Sequence, residues 1–424
     1  MLRDAFLPTP LAQPFEPLFR PAERGAGARY ASARWNPEAL ALLVSSLREG
    51  AEALRAIPGD DLLAAWGDTV ARFLRPGSLE RRALDPALAR LCRLSRPGLD
   101  AALEAVLGGV RRETAAAVFQ RAPAPADAGP VLVVLAGNLP ALTVQPLLPA
   151  LALRRAVLLK SPSAEPLFAP AFLQALARRE PRLAGAVAAV TWPGGEAELE
   201  APVLAGVDTV IAYGEQEALS DLERRAPGRV IGYGPKTSLA VVGADAVLQD
   251  IVFGLARDVA LFDQRGCLSI AAVYTAGDAA ALAGRLGEAL SDLARRWPAG
   301  PSIRPELAAV QHVRLEAEMR GLRQEPLSLQ AGTVIVDPDP AFRPSPGLRT
   351  VRIHPLPDLS RLPDLLAPWR GRLQGAALAG KDAWALEPRL RELGLSRFAS
   401  PGELQSPDAS WHNGGVDPLR VLSG

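Results

Sequence analysis

Thiols, imidazoles and lysines are all scarce in this chain of 424 residues. Two cysteines, Cys92 and Cys267, are too few for a disulfide framework or a cysteine zinc site. The three histidines, His312, His354 and His412, argue against a histidine-rich metal centre or a Ser-His-Asp triad, and no metal is expected. Charge of one sign is also lacking. The formal net charge is +1, so no overall field points to nucleic acid or a membrane surface. Gly, Pro or Arg interrupts the longest apolar runs before they could span a bilayer. The opening "MLRDAFLPTPLAQPFEPL" has neither the basic start nor the apolar core of a signal peptide, so a cytoplasmic protein with reduced thiols is expected.

Among 47 Lys plus Arg, only Lys160, Lys236 and Lys381 are lysines. The arginine excess reads as biased composition. Each lysine therefore draws notice, because its compact, desolvatable ammonium is not interchangeable with a guanidinium.

Apolar spacings of three and four predict helices through most of the first 125 residues, as in "PEALALLVSSLREGAEALRAI" and "GLDAALEAVLGGVRRETAAAVF". Cys92, between leucines in "PALARLCRLS", reads as a packing residue. After the linker-like "RAPAPADAGP" the texture changes to alternating strands and helices. The runs "VLVVLA", "AVLLK", "AVAAVTW" and "VDTVIAYG" are short and continuously apolar, as strands of a buried parallel sheet are. "RVIGYG" and "SLAVVG" add strand-like runs, and a helix leads into "LFDQRGCLSIAAVYT", where alternation restarts. The expected organisation is a helical region over 1–125, a Rossmann-like cofactor domain over 126–262, a catalytic α/β domain over 263–400 and a tail over 401–424. Cys267 then lies at a domain seam, where clefts form.

Four features at strand ends bear on chemistry. Asn138, in "AGNLP", follows a strand: it is either an amide donor for an oxyanion or a turn and capping residue. Lys160, closing "AVLLK" ahead of Ser163, suits a nucleotide's ribose and phosphate or else snorkels at a strand terminus. Gly214 precedes a helix whose N-terminus can face phosphates, although no G-x-G-x-x-G is present. Cys267, after Gly266, is either a nucleophile or a small packed residue.

In this order, together with the turn "GPKTS" and the closing "GLSRFASPGELQSPDASWHNGGVDPL", these pieces resemble the aldehyde dehydrogenase superfamily. They are most similar to its LuxC-type acyl-CoA reductases. The resemblance implies two Rossmann-like parallel α/β domains with a helical N-terminal region. It implies Cys267 as the acylated nucleophile, Asn138 with the Cys267 N–H as oxyanion hole, Lys160 and Ser163 at the adenosine ribose, and Gly214 by the pyrophosphate. His412, in "SWHNGG", is either a proton donor to the alkoxide or a structural contact.

Hydrolytic relatives carry a glutamate in an "ELGGKSP"-like turn. Here the turn reads "IGYGPKTS" and that position falls on Gly232, which favours thioester chemistry over acid formation. Ser163 stands where NAD-preferring relatives have a glutamate, which favours NADPH over NADH. The expectation is NADPH-dependent reduction of an acyl-CoA or acyl-carrier thioester to an aldehyde, by a homo-oligomer with an acyltransferase or synthetase partner. An oxidising aldehyde dehydrogenase, an acyl-phosphate reductase and a non-catalytic scaffold of the same fold are the alternatives.

Overall fold

Side-chain caps and apolar stripes together set the N-terminal third. In the computed structural model, which describes residues 2–24 and 27–423, five successive helices span Pro37–Arg55, Gly59–Leu74, Leu79–Leu91, Arg96–Gly108 and Arg112–Arg121. The side chains of Asn36, Ser78 and Ser95 accept from the backbone amides of Ala39, Arg81 and Gly98, satisfying donors that a helix start leaves free. Leu40, Leu43, Leu47 and Leu54 bury the inner face of the first helix. Ahead of them, β1 (Phe19–Arg24) and β2 (Ala28–Ala33) form an antiparallel hairpin that the helical expectation did not include.

The first large sheet comprises β3 (Val131–Val134), β4 (Val157–Lys160), β5 (Val187–Val190), β6 (Thr209–Tyr213) and β7 (Arg229–Tyr233). All its pairings are parallel, in the order β5-β4-β3-β6-β7, with helices in the crossovers. The strand order reverses between β3 and β6, so a crevice opens beyond their carboxyl ends, where open α/β sheets take ligands. Asn138 follows β3 and Gly214 follows β6.

The second sheet comprises β8 (Thr237–Val242), β9 (Ile270–Thr275), β10 (Arg323–Gln324), β11 (Thr333–Val336), β12 (Thr350–Pro355), β13 (Leu373–Ala379) and β14 (Arg397–Ala399), in the order β10-β11-β12-β9-β8-β13-β14. Only β10 runs antiparallel to its neighbour. The chain passes between the sheets at residues 234–236, not at residue 262 as expected. Strand β8 pairs with β9 and β13, and the helix Leu248–Ala260 packs Leu255, Ala256 and Val259 into the second domain's core. The tail returns to the first core through Leu419 and Leu422, with Arg155 donating to the Leu422 carbonyl at 2.6 Å. No helix among the described residues is long and apolar enough to cross a membrane, and none of their His, Cys, Asp and Glu side chains cluster as a metal site.

Candidate active site

Cys267 lies on the turn that leads into β9, at the amino edge of the second sheet. Three residues before that turn adopt left-handed backbone: Phe262 (φ 57°), Asp263 (φ 49°) and Gln264 (φ 64°). None is glycine, so each costs about 1–2 kcal/mol in isolation; Phe262 is buried, and side-chain contacts hold Asp263 and Gln264. Asp263 is clamped by the Arg349 guanidinium at 2.7 Å and by the Gly300 N–H at 2.9 Å. Gln264 donates to the carbonyls of Ile270 and Thr350 and accepts from the Thr350 N–H, each at 2.7 Å. Asp263, Gln264 and Arg349 are buried, so these contacts are shielded from water.

Gly266 is required by close packing. A Cβ there would meet Gln405 Oε1 at 2.9 Å and Ser269 Oγ at 3.3 Å. Ser269 Oγ accepts from the Gly266 N–H and donates to Gln405 Oε1 at 3.0 Å, while Gln405 Nε2 donates to the Asp258 carbonyl. Ser238 Oγ, on β8, donates to the Cys267 carbonyl at 2.8 Å. The Cys267 turn is thus tied to β8, to the helix before it and to the tail.

The structure brings Asn138 to this turn: its side-chain amide donates to the Arg265 carbonyl at 2.9 Å, two residues before Cys267. On the other side stand Tyr213 and Tyr233, at the ends of β6 and β7, stacked with centroids 4.9 Å apart. Asn413 hydrogen-bonds the Tyr213 phenol and accepts from Gln374 at 2.9 Å. Burial pushes the Cys267 thiol up to about 11, while its own backbone N–H, the Lys236 charge and the Leu268 N–H pull it back. Among the described residues no carboxylate bears on that thiol. Gly232, the expected counterpart of the hydrolytic glutamate, faces Leu219 of the adjoining helix, whose Cδ1 a Cβ would meet at 3.2 Å. The neighbouring Tyr233 is the β7 residue beside the cluster.

Lys160, Ser163 and Gly214 all lie at the carboxyl edge of the first sheet. Lys160 is buried, its ammonium 5.3 Å from the Trp192 ring centroid; burial lowers its pKa and the Glu200 carboxylate offsets that. Ser163 is half-buried, with no protein partner for its hydroxyl among the described residues. Gly137 lets the β3 end approach the 162–164 turn closely, since a Cβ would meet the Ala164 Cβ at 2.9 Å. Gly214 precedes the helix Gln216–Arg225. A dinucleotide fits this edge: a small-residue cradle, a cation and a free hydroxyl lie along the crevice.

His412 borders the hollow beside the Tyr213–Tyr233 pair. Its Nε2 is 3.7 Å from Asp417, which also pairs with Arg121 at 2.5 Å, and no described contact joins it to Cys267. His354 is buried, stacked on Tyr274 and held by the carbonyls of Asp337 and Asp339. Cys92 is buried as expected, its thiol raised by burial and by Glu165.

Two hollows lie in this region, one beside the tyrosine pair and one at the turn. One, of about 720 Å³ with its mouth included, is lined by Val118, Pro146, Leu148, Ile211, Trp411 and the tyrosine pair. The other is more polar and borders Asn138, Arg265, Glu306 and Leu348. Lys236, the tyrosine pair and the tail's Asn413 went unassigned as site residues in the sequence. Lysine scarcity was the one available signal, and it applied to Lys236.

Solved structures resemble this architecture at low identity. A benzaldehyde dehydrogenase from Corynebacterium glutamicum matches with a TM-score of 0.71 and 15% identity, over 95% of this chain and 93% of that one. An NADP-dependent glyceraldehyde-3-phosphate dehydrogenase from Bacillus halodurans matches with a TM-score of 0.68 and 16% identity, over 90% and 87%. The fold is that of the aldehyde dehydrogenases. In sequence, the chain is 27% identical over 235 residues to a long-chain acyl-protein thioester reductase of Aliivibrio fischeri, covering 54% of this chain and 49% of that protein. A second such reductase, from Photobacterium leiognathi, is 25% identical over 236 residues, with the same coverage. The match thus spans about half the length of these curated relatives. The family model described as acyl-CoA reductase (LuxC) matches residues 87–423, and the chain belongs to that family.

Proposed function

We propose that this protein reduces an acyl thioester, carried on CoA or on an acyl-carrier protein, to the aldehyde through an acyl-enzyme at Cys267. The observation that carries the reading is the company of Cys267. Two backbone N–H groups and a lysine charge favour its thiolate, Asn138 adjoins its turn, no carboxylate is among the groups that shift the thiol, and nearby Glu306 is paired with Arg93 and Arg265.

Cys267 Sγ attacks the thioester carbonyl, and the carbonyl oxygen takes up the negative charge. The Asn138 amide and the Cys267 N–H stabilise it, with Asn138 exchanging its Arg265 contact for the oxyanion. When the oxyanion collapses, the C–S bond to the carrier breaks and the carrier thiolate leaves. NADPH, when bound, supplies the hydride. Lys160 and Ser163 hold its ribose side and Gly214 adjoins its pyrophosphate. The same donor pair receives the second oxyanion, and its collapse frees the aldehyde and the Cys267 thiolate.

Ser163 in place of a glutamate leaves room for a 2′-phosphate, which supports NADPH over NADH. Glu200 beside Lys160 limits that preference. The apolar hollow beside Tyr213 suits the acyl chain. A cytoplasmic homo-oligomer supplied by an acyltransferase or synthetase completes the proposal.

The deciding experiment is labelling with a fluorescent fatty acyl-CoA. The wild-type protein is expected to take a covalent label at Cys267 and to lose it on addition of NADPH. Cys267→Ala is expected to take none. A label that persists in Cys267→Ala overturns the assignment.

A further inference from the structure

We infer that Lys236 is the counter-charge of the Cys267 nucleophile: its ammonium stabilises the thiolate that attacks the thioester. The inference rests on Cys267 being the acyl acceptor. It goes beyond the donor pair already described, because it assigns a residue to the sulfur instead of to the carbonyl oxygen.

The topology places Lys236 beside the turn. It ends the link at 234–236, immediately before β8, while Cys267 lies shortly before the parallel neighbour β9. Ser238 pairs in register with Ile270, and Ser238 Oγ holds the Cys267 carbonyl at 2.8 Å, so the two segments enter the sheet side by side. The ammonium is in tight quarters. A Cβ on Gly414 would lie 3.7 Å from Lys236 Nζ and 3.8 Å from Tyr233 Cε1, and Gly414 itself has φ 62°. The tail's "HNGG" loop thus lies against the lysine without a side chain to displace it.

No carboxylate among the described residues lies within ion-pair distance of Lys236. In a protein whose acidic groups are widely paired with arginines, a half-buried ammonium without an acidic partner has some other use for its charge. The coupling with Cys267 runs both ways: burial lowers the Lys236 pKa and Cys267 raises it, while Lys236 lowers that of Cys267. The other titratable groups facing the thiol are the phenol of Tyr213 and the Tyr233 ring stacked on it. Burial raises both above the ordinary tyrosine value, so they stay neutral through the range in which the thiol is assayed.

The test is the pH dependence of Cys267 alkylation by iodoacetamide between pH 6.5 and 10, following the Cys267 peptide by mass spectrometry in the whole protein. Loss of the charge in Lys236→Met is expected to move the profile to higher pH and to slow alkylation at pH 7.5 by about tenfold, the equivalent of one pKa unit. Lys236→Arg, which keeps the charge, is expected to stay within about threefold of wild type. Buried Cys92 monitors folding in the same digest. If Lys236→Met labels at Cys92, the comparison is made with Lys236→Gln. Neutral-variant profiles that superimpose on the wild type overturn the inference. If the profiles shift but the wild-type protein takes no acyl label at Cys267, the lysine–thiolate pairing stands and the thioester-reductase reading falls.

Discussion

Removing the Asp263 carboxylate tests whether the left-handed turn before Cys267 is held by its buried ion pair. Asp263 and Arg349 are 3% and 2% exposed, and the pair has no bulk water to replace a missing partner. In Asp263→Ala the Arg349 guanidinium keeps its bond to the Trp297 carbonyl but loses its counter-charge, and the Gly300 N–H loses its acceptor. Breaking a buried pair in this way costs about 3–5 kcal/mol. At about 2.1 cal/mol/K of unfolding entropy per residue, a chain of 424 residues has about 0.9 kcal/mol/K in total, so 4 kcal/mol corresponds to about 4–5 °C in the melting midpoint. The expected result is a drop of that size by differential scanning fluorimetry at low ramp rate. A fall in Cys267 alkylation should accompany it as the turn relaxes. Adding Arg349→Met removes the unpaired charge and is expected to recover more than half of the lost stability without restoring reactivity. A midpoint within 1 °C of wild type for Asp263→Ala, or a double variant no more stable than the single, refutes the reasoning.

Other outcomes follow from single residues. The Glu165 carboxyl, buried and accepting from the Leu167 and Phe168 amides, is pushed up to about 7 from an ordinary 4.5 by burial. Because the folded value is the higher one, its contribution to stability is complete below pH 4.5 and is lost as pH rises through 7, a change of about 3 kcal/mol. Glu165→Gln keeps the acceptor for both amides, so denaturant midpoints should rise above wild type at pH 8 and coincide with it near pH 4. Gly266→Ala forces a Cβ to within 2.9 Å of Gln405 Oε1 and is expected to lower acyl labelling at least tenfold while the melting midpoint moves little. Unchanged labelling in that variant would separate the tail network from the geometry at Cys267.

Buried parallel strands are short and apolar throughout, so the runs at Val131–Val134, Val157–Lys160 and Val187–Val190 were legible without any partner in view. The hairpin Phe19–Ala33 was not: Arg20, Pro21, Glu23 and Arg29 give it no alternating apolar face. The change of sheet was hidden for another reason. β7 and β8 are similar strand-like runs three residues apart, and only long-range pairing to β13 and β9 reveals that the second belongs elsewhere. Among candidate site residues, the placement of Asn138, Lys160, Gly214 and Cys267 at strand ends was legible because each follows, closes or precedes an apolar strand-like run. The contacts of Gln405 and Asn413 were not, since the tail reaches the turn from more than a hundred residues away. For His412 the sequence left a proton donor and a structural contact open; its loop reaches Lys236 and Tyr213 through Gly414 and Asn413, and its ring lies 3.7 Å from Asp417.

Placing the thiol between the carboxyl edge of one parallel sheet and the amino edge of another has a chemical consequence. Strand ends of the first sheet present a side-chain amide and two phenols, which can donate hydrogen bonds but do not act as strong bases near neutral pH. Strand starts of the second sheet present backbone N–H groups and, from the link between the sheets, an ammonium. On the proposed reading, the Cys267 and Leu268 N–H groups and the Lys236 charge favour negative charge on sulfur, the Asn138 amide favours it on the carbonyl oxygen, and none of them draws a proton from water. On the proposed reading, an acyl group on Cys267 is then electrophilic and sheltered from hydrolysis, so it waits for hydride or returns to a carrier thiol. A glutamate introduced at Tyr233, the β7 residue beside the cluster, supplies the missing base. Tyr233→Glu is accordingly expected to release labelled fatty acid from the acyl-enzyme without NADPH, at a rate that rises with pH as the carboxylate ionises. An acyl-enzyme equally long-lived in that variant would show that geometry, not the absent base, protects the thioester.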